Sequence, residues 1–278
     1  MPEERIDSHH HLWKYSPADY PWISEEMKPI RKDFLVPELT HAIEAANING
    51  VVTVQARQSL VETDWLLELA YRNDFMRGIV GWVPLTDPAV GSHLEKYWHY
   101  PKLKAVRHVL QDEPDDFYIL REDFNRGVSQ LEDLGLSYDI LIFERHLPQT
   151  IEFVDRHPTQ IFILDHMAKP KIKGQVLSPW REHMRELARR ENVYCKLSGM
   201  VTEADWNTWT EDDLRPFIDT ALECFGSRRL MFGSDWPVSL LACGYEKWID
   251  VVERATASLS PSERGRLFGG TAKDAYRL

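Results

Sequence analysis

The chain has 278 residues, 43% of them hydrophobic and 11% aromatic, enough to bury one large core, so global disorder is excluded. Its 33 Lys and Arg against 44 Asp and Glu give a formal net charge of -11, which argues against a nucleic-acid partner because backbone phosphates need a concentrated basic surface. The cysteines Cys195, Cys224 and Cys243 form no CxxC, and no apolar run reaches the roughly 18 residues that span a bilayer, so reduced thiols in a cytoplasmic protein free of membrane are expected.

The first predicted strand is RIDSHHH at 5–11. Its histidine run lies inside the sequence, is short and is followed at once by Leu12 and Trp13, unlike a terminal purification tag. Alternation along a strand gives His9 and His11 one face and turns His10 away, into the barrel wall or the helix layer. Residues 14–36 are rich in Pro, Tyr and Trp without a helix pattern, the mark of a functional loop. A helix is predicted over 37–48, then strand VVTVQA at 51–56 and a helix over 62–74. Strands RGIVGWV at 77–83 and LKAVRHV at 103–109 follow, then a polar loop at 111–118 and a helix over 121–135. The remaining strands are YDILIF at 138–143, QIFILDHM at 160–167, VYCKLSG at 193–199 and RLMFGSD at 229–235, separated by helices over 147–158, 178–192 and 213–226.

Eight strands that alternate with helices and carry nearly continuous apolar runs predict a single (β/α)8 barrel over residues 1–278. The competing open doubly wound sheet lacks a GxGxxG or GxxxxGK[ST] after its first strand. Chemistry in such barrels sits at the carboxyl ends of the strands. Those ends offer His9 and His11, Gln55 and Arg57, Arg107 and His108, Asp165 and His166, Lys196 and Ser198, and Asp235. One polar strand end is usually a satisfied structural group, whereas recurrence on six strands marks an active site. Trp13, Trp82 and Trp236 offer flat faces suited to sugar rings, and any of them serves packing equally well. His157 and His183 read as surface residues, Cys195 as part of the barrel wall, and Ser198 and Ser234 lack the GxSxG of a serine nucleophile.

As a set, the D-x-H-x-H at 7–11, DHMAKP, CKLSG, MFGSDWP, LKAVRHVLQDEPD, ERHLP and the terminal GGTAKDAYRL resemble the amidohydrolase superfamily, more narrowly its branch of sugar-lactone hydrolases. The resemblance spans nearly the whole chain and implies a distorted (β/α)8 barrel that hydrolyses cyclic esters. The wider superfamily adds a metal-bridging Lys or Glu on strand 4 and histidines on strands 5 and 6; here strand 4 offers Arg107 and strand 5 ends without histidine. A two-metal centre is therefore disfavoured, while His9, His11, His166 and Asp235 have the donors of one zinc site. The expectation is no required cofactor or one divalent metal such as zinc. Asp235 is the expected general base; His9, His11 and His166 surround the carbonyl oxygen, and Arg107 and Lys196 supply fixed positive charge with Gln55 as a further substrate contact. The expected partner is a small sugar lactone, with homo-oligomerisation left open. The alternatives are a metal-dependent decarboxylase of an unsaturated or aromatic acid and a non-catalytic sugar-acid binding protein.

Overall fold

A computed structural model of the chain describes residues 4–278. Eight parallel strands lie in chain order: β1 Ile6–His10, β2 Gly50–Val54, β3 Met76–Gly81, β4 Leu103–Val109, β5 Ser137–Leu141, β6 Phe162–Leu164, β7 Val193–Leu197 and β8 Leu230–Phe232. The helices between and after them are α1 Val36–Ala45, α2 Leu60–Arg72, α3 Val90–Tyr97, α4 Glu122–Asp133, α5 Leu147–Asp155, α6 Trp180–Leu187, α7 Met200–Glu203, α8 Glu211–Arg229, α9 Tyr245–Ala255, α10 Pro261–Gly265 and α11 Thr271–Tyr276. The fold is the expected (β/α)8 barrel. Covered on both faces, its strands need no polar face; β2 and β5 are buried at every position.

Alternate strand residues divide two cores. Ile6, Val52, Val54, Val80, Ala105, Ile163 and Met231 fill the lumen, and α11 closes its amino-terminal end with Ala272, Ala275 and Tyr276. Val51, Ile79, Val106, Tyr138, Leu164, Cys195 and Phe232 face the helices, so Cys195 lies in the wall as its position beside Lys196 predicts. Past the last strand, Asp235 N–H donates to the His9 carbonyl at 2.8 Å and His11 N–H to the Trp236 carbonyl at 2.7 Å, which closes the barrel between β8 and β1.

Two predicted segments fold differently. The run through Met167 leaves the sheet at Leu164, and residues 165–168 form a tight turn. The 14–36 segment holds a 3₁₀ turn at Glu25–Ile30 and is pinned at both ends by paired backbone hydrogen bonds, each 2.9 Å, between Trp13 and Phe34. It therefore lies as a fixed strap over the carboxyl end of the barrel.

Candidate active site

A β-bulge aims the histidines. Along β1 the pairing to β2 advances from Asp7↔Val51 to His10↔Thr53, three steps against two, so β1 holds one extra residue. Ile6 thus faces the lumen, and His9 faces it too three residues later. The Asp7 carboxylate binds the seam where β8 meets β1, accepting from His9 N–H at 3.0 Å, Ser234 N–H at 2.8 Å, Ser234 Oγ at 2.6 Å and Tyr245 OH at 2.8 Å. Burial lifts its carboxyl to about 6 against these four donors. The next residue after that seam, Asp235, takes a left-handed backbone (φ +55) that turns its carboxylate into the barrel mouth.

At that mouth Asp235 Oδ1 lies 3.6 Å from His11 Nε2, 3.8 Å from His9 Nε2 and 3.9 Å from His166 Nε2. Burial opposes its ionisation, but the facing His166 and His11 and the nearby Lys169 outweigh it, so the carboxyl stays below its ordinary value and is charged at neutral pH. Burial drives His9 well below the usual imidazole range and pushes His166 down to about 4, against the opposing pull of Asp235 and Asp165. His11 Nδ1 donates to the Val54 carbonyl at 2.8 Å, which fixes the ring with its Nε2 toward Asp235 and 3.1 Å from His9 Nε2.

His9 is fully buried behind this wall, against a charged network that fills the lumen beneath it. Lys196 Nζ lies 2.6 Å from Asp139 Oδ2, 2.8 Å from Asp165 Oδ1 and 3.1 Å from His9 Nδ1. Arg107 Nη1 donates to Asp165 at 2.8 Å and Nη2 to the Gln55 carbonyl at 2.6 Å. Lys196 and Gln55 therefore do not line the cavity as substrate contacts: both are wholly buried, and the lysine is committed to two carboxylates. Arg107 does reach the cavity wall. Asp165 Oδ1 stands 3.3 Å from His9 Nδ1, so that nitrogen faces both a donor and an acceptor. With Lys196 donating to it, His9 presents an Nε2–H; with Asp165 accepting from it, His9 presents an Nε2 lone pair.

His166 owes its place to an unusual backbone. His166, Met167, Ala168 and Lys169 all have positive φ (+52, +53, +60 and +48), a left-handed turn built without glycine that costs roughly 1–2 kcal/mol per residue. Lys169 N–H closes it on the His166 carbonyl at 2.8 Å, Trp180 Nε1 donates to the Met167 carbonyl at 2.8 Å, and His166 Nδ1 meets Ser198 Oγ at 2.9 Å. Beside Ser198, Gly199 (φ +63) lies so close that an added Cβ would sit 2.5 Å from His166 Nδ1, and one added at Gly233 would sit 2.9 Å from His9 Cβ. Gly199→Ala is expected to displace the His166 ring and lower kcat by about 10²-fold, the effect of an ångström-scale misplacement, in a protein that still folds by circular dichroism.

The side chains open into a cavity of about 780 Å³ whose wall includes His11, His166, Asp235 and Arg107. None of the three tryptophans singled out lines it. Trp13 is fully buried with its Nε1 donating to the Lys32 carbonyl, Trp236 packs edge-on against Phe34, and Trp82 donates weakly to His108 Nδ1 at 3.4 Å. The cavity instead takes Trp22 from the strap and Trp206 from the segment after α7, together with Arg57, Lys169 and Glu203. Arg57 is readable as a strand end; the two tryptophans stand in loops with no periodicity to mark them.

His10 points away, as alternation predicts: its Nε2 meets Thr53 Oγ1 at 2.8 Å on the helix side of the sheet. His9→Ala and His11→Ala are each expected to lose at least about 10-fold in kcat/KM, whereas His10→Gln, which keeps volume and a hydrogen-bonding group, stays within about threefold of wild type. Equal losses from all three, with folding intact, would contradict this placement.

The donors suit one divalent ion. Two overlapping sets, His9–His11–Asp235 and His9–Asp165–His166, hold their ligand atoms within 4.8 Å of one another. Ligands about 2.0–2.2 Å from a tetrahedral zinc lie about 3.3–3.6 Å apart, which the 3.1 Å and 3.6–3.9 Å separations here bracket. Asp165, 3.3 Å behind His9 Nδ1, is placed to orient that imidazole if an ion is bound at Nε2.

A (β/α)8 barrel whose histidines and aspartate converge at its carboxyl mouth has the site of an enzyme that activates water or polarises a carbonyl, with or without a divalent ion. The amidohydrolase family matches residues 6–278, and the chain belongs to it. It is 43% identical to an L-fucono-1,5-lactonase of Burkholderia multivorans across 99% of this chain and 96% of the relative. A second L-fucono-1,5-lactonase, from Burkholderia ambifaria, is 34% identical over the same shares. The crystal structure of an amidohydrolase from Burkholderia multivorans, solved with bound zinc, superposes with a TM-score of 0.96 at 42% identity, covering 99% of each chain. No helix among the described residues is long and apolar enough to cross a membrane.

Proposed function

We propose that this protein opens the ring ester of a sugar-acid lactone, with L-fucono-1,5-lactone and related 6-deoxy lactones the first substrates to test. The observation that carries the reading is Asp235, an ionised carboxylate facing three imidazole nitrogens at 3.6–3.9 Å on the wall of a cavity large enough for a sugar ring. The two lactonase relatives support the choice of substrate class. The unpaired cysteines fit a reducing compartment, and we place the enzyme in the cytoplasm.

Asp235 takes a proton from water as the water oxygen bonds to the lactone carbonyl carbon, a role worth about 10²–10⁴-fold. His166 and the Arg107 guanidinium stand on the wall where negative charge develops on the carbonyl oxygen. Collapse breaks the bond between the carbonyl carbon and the ring oxygen, and the proton held by Asp235 passes to that oxygen to leave a hydroxy acid. His9 acts from behind the wall, presenting its Nε2 to His11 and Asp235. A divalent ion bound by His9, His11, His166 and Asp235 would add Lewis-acid polarisation at the same place.

The test is acid release, followed with a pH indicator, from hexono-, pentono- and 6-deoxyhexono-lactones of both ring sizes, with and without chelator. Turnover above buffer with at least one lactone is expected, and no rate with any of them overturns the reading. Turnover unchanged by chelator assigns the histidines to hydrogen bonding; loss restored by zinc assigns them to the ion. Turnover of unsaturated or aromatic acids alone, only with metal, would favour decarboxylation instead.

A further inference from the structure

Several charged pairs around the barrel mouth are closed, and one on the cavity wall is not. Lys171 meets Glu144 at 2.7 Å, Lys173 meets Asp205 at 3.0 Å, and Arg57 pairs tightly with Asp19. Lys169 Nζ and Glu203 Oε1, both on the cavity wall, stand 3.8 Å apart, beyond hydrogen-bond reach. Neither side chain has another hydrogen-bond partner among the described residues, although they are only 19% and 24% exposed. Half-buried charged groups left this open are costly unless something completes them.

Their position relative to the reacting centre is fixed. In a turn of three residues, side chains at i and i+3 eclipse, so the left-handed turn at 166–169 sets Lys169 directly beyond His166. The strained backbone thus delivers two groups to one wall, one at the ester and one a turn further on. Glu203, at the end of α7, faces the lysine from the next strand-to-helix connection. Burial raises its carboxyl above the ordinary value even against Lys169.

One hydroxyl oxygen about 2.8 Å from each group fits across a 3.8 Å gap, accepting from the ammonium and donating to the carboxylate. Only a group that both donates and accepts can do this. A methyl cannot, and a carboxylate would meet Glu203 with like charge and no proton to give. We propose that Lys169 and Glu203 form a hydroxyl-reading subsite that selects neutral polyhydroxylated lactones and excludes lactones with a carboxylate at that position. The inference rests on the lactonase reading and names the substrate class it prefers.

The test compares wild type with Glu203→Ala, Glu203→Gln and Lys169→Met, using the best aldonolactone, its singly deoxygenated analogues and a lactone carrying a carboxylate. Glu203→Ala is expected to raise KM at least 10-fold for the parent with a smaller change in kcat. One deoxy analogue should suffer a similar loss with wild type and no further loss with the variant, the signature of a shared contact. Glu203→Gln should raise kcat/KM for the carboxylated lactone at least 10-fold. If Glu203→Ala fails to fold, Lys169→Met carries the same comparison on the donor side. Losses confined to kcat, or equal losses across every deoxy analogue, overturn the inference while wild-type turnover leaves the lactonase reading standing. A wild type inactive on every lactone overturns both.

Discussion

Asp235→Asn is expected to fold, to bind lactone and to lose at least about 10²-fold in turnover. Asparagine keeps the shape and most of the hydrogen bonding but cannot take a proton from water. It also tolerates the left-handed backbone at this position better than most residues, so the Asp235 N–H bond to the His9 carbonyl and the Ser239 N–H bond to the Asp235 carbonyl, 2.8 and 2.9 Å, should survive. A merely structural aspartate would show the opposite pattern, near-normal turnover with a shifted melting temperature. Steady-state rates together with lactone binding by calorimetry separate the two.

Lys196→Met is expected to be the most destabilising single change in the lumen. The ammonium is wholly buried and lies 2.6 Å from Asp139 and 2.8 Å from Asp165, both themselves buried; Asp165 has Arg107 as a second cation at 2.8 Å, whereas Asp139 has no other salt-bridge partner among the described residues. Burial already lifts Asp139 to about 6, and Tyr276 OH donates to its Oδ2 at 2.7 Å; Asp165 is held well below the carboxylate range against its own burial by Lys196, His9 and Arg107. Removing the cation strands this negative charge in low dielectric, a loss of about 3–5 kcal/mol. In a domain of this size that lowers Tm by on the order of 10 °C. A melt within about 1 kcal/mol of wild type would mean that the carboxylates take up protons at no cost, and that Lys196 is not the counter-charge the geometry indicates.

The barrel was legible because its strands are covered on both faces, so runs such as VVTVQA and YDILIF are almost wholly apolar and cannot be mistaken for amphipathic helices. The pairing of His9 with His11 was legible from alternation, but only within the triplet. Counting from Ile6, which faces the lumen, would place His10 inside; the bulge between Asp7 and His10 corrects the phase, and no residue there announces it. Strand 6 ends at Leu164, three residues short of the apolar run that predicts it, for a similar reason. HMAK contains no Gly, Asn or Asp to signal positive φ, and its left-handed turn is imposed by contacts made far along the chain, such as the Trp180 bond to Met167. Polar strand ends point to the barrel mouth as the candidate site, but alternation does not say which of them reach solvent. Lys196 and Arg107 look alike in sequence; one is sealed between two aspartates and the other lies on the cavity wall. Composition likewise does not separate a stacking tryptophan from a packing one: Trp13, beside the histidine run, is buried in the core, while Trp22 and Trp206, carried on loops, line the cavity.

The central claim is that the lactone carbonyl meets Asp235 and His166 at the barrel mouth. The crystal structure of Asp235→Asn soaked with a lactone that the wild type turns over tests it most directly. The account predicts an unopened ring, its carbonyl oxygen toward His166 and Arg107, and the substituted carboxamide beside the carbonyl carbon with room for one water about 3–3.5 Å from it. A lactone seated with its carbonyl away from residue 235, or opened by the variant at the wild-type rate, would contradict it.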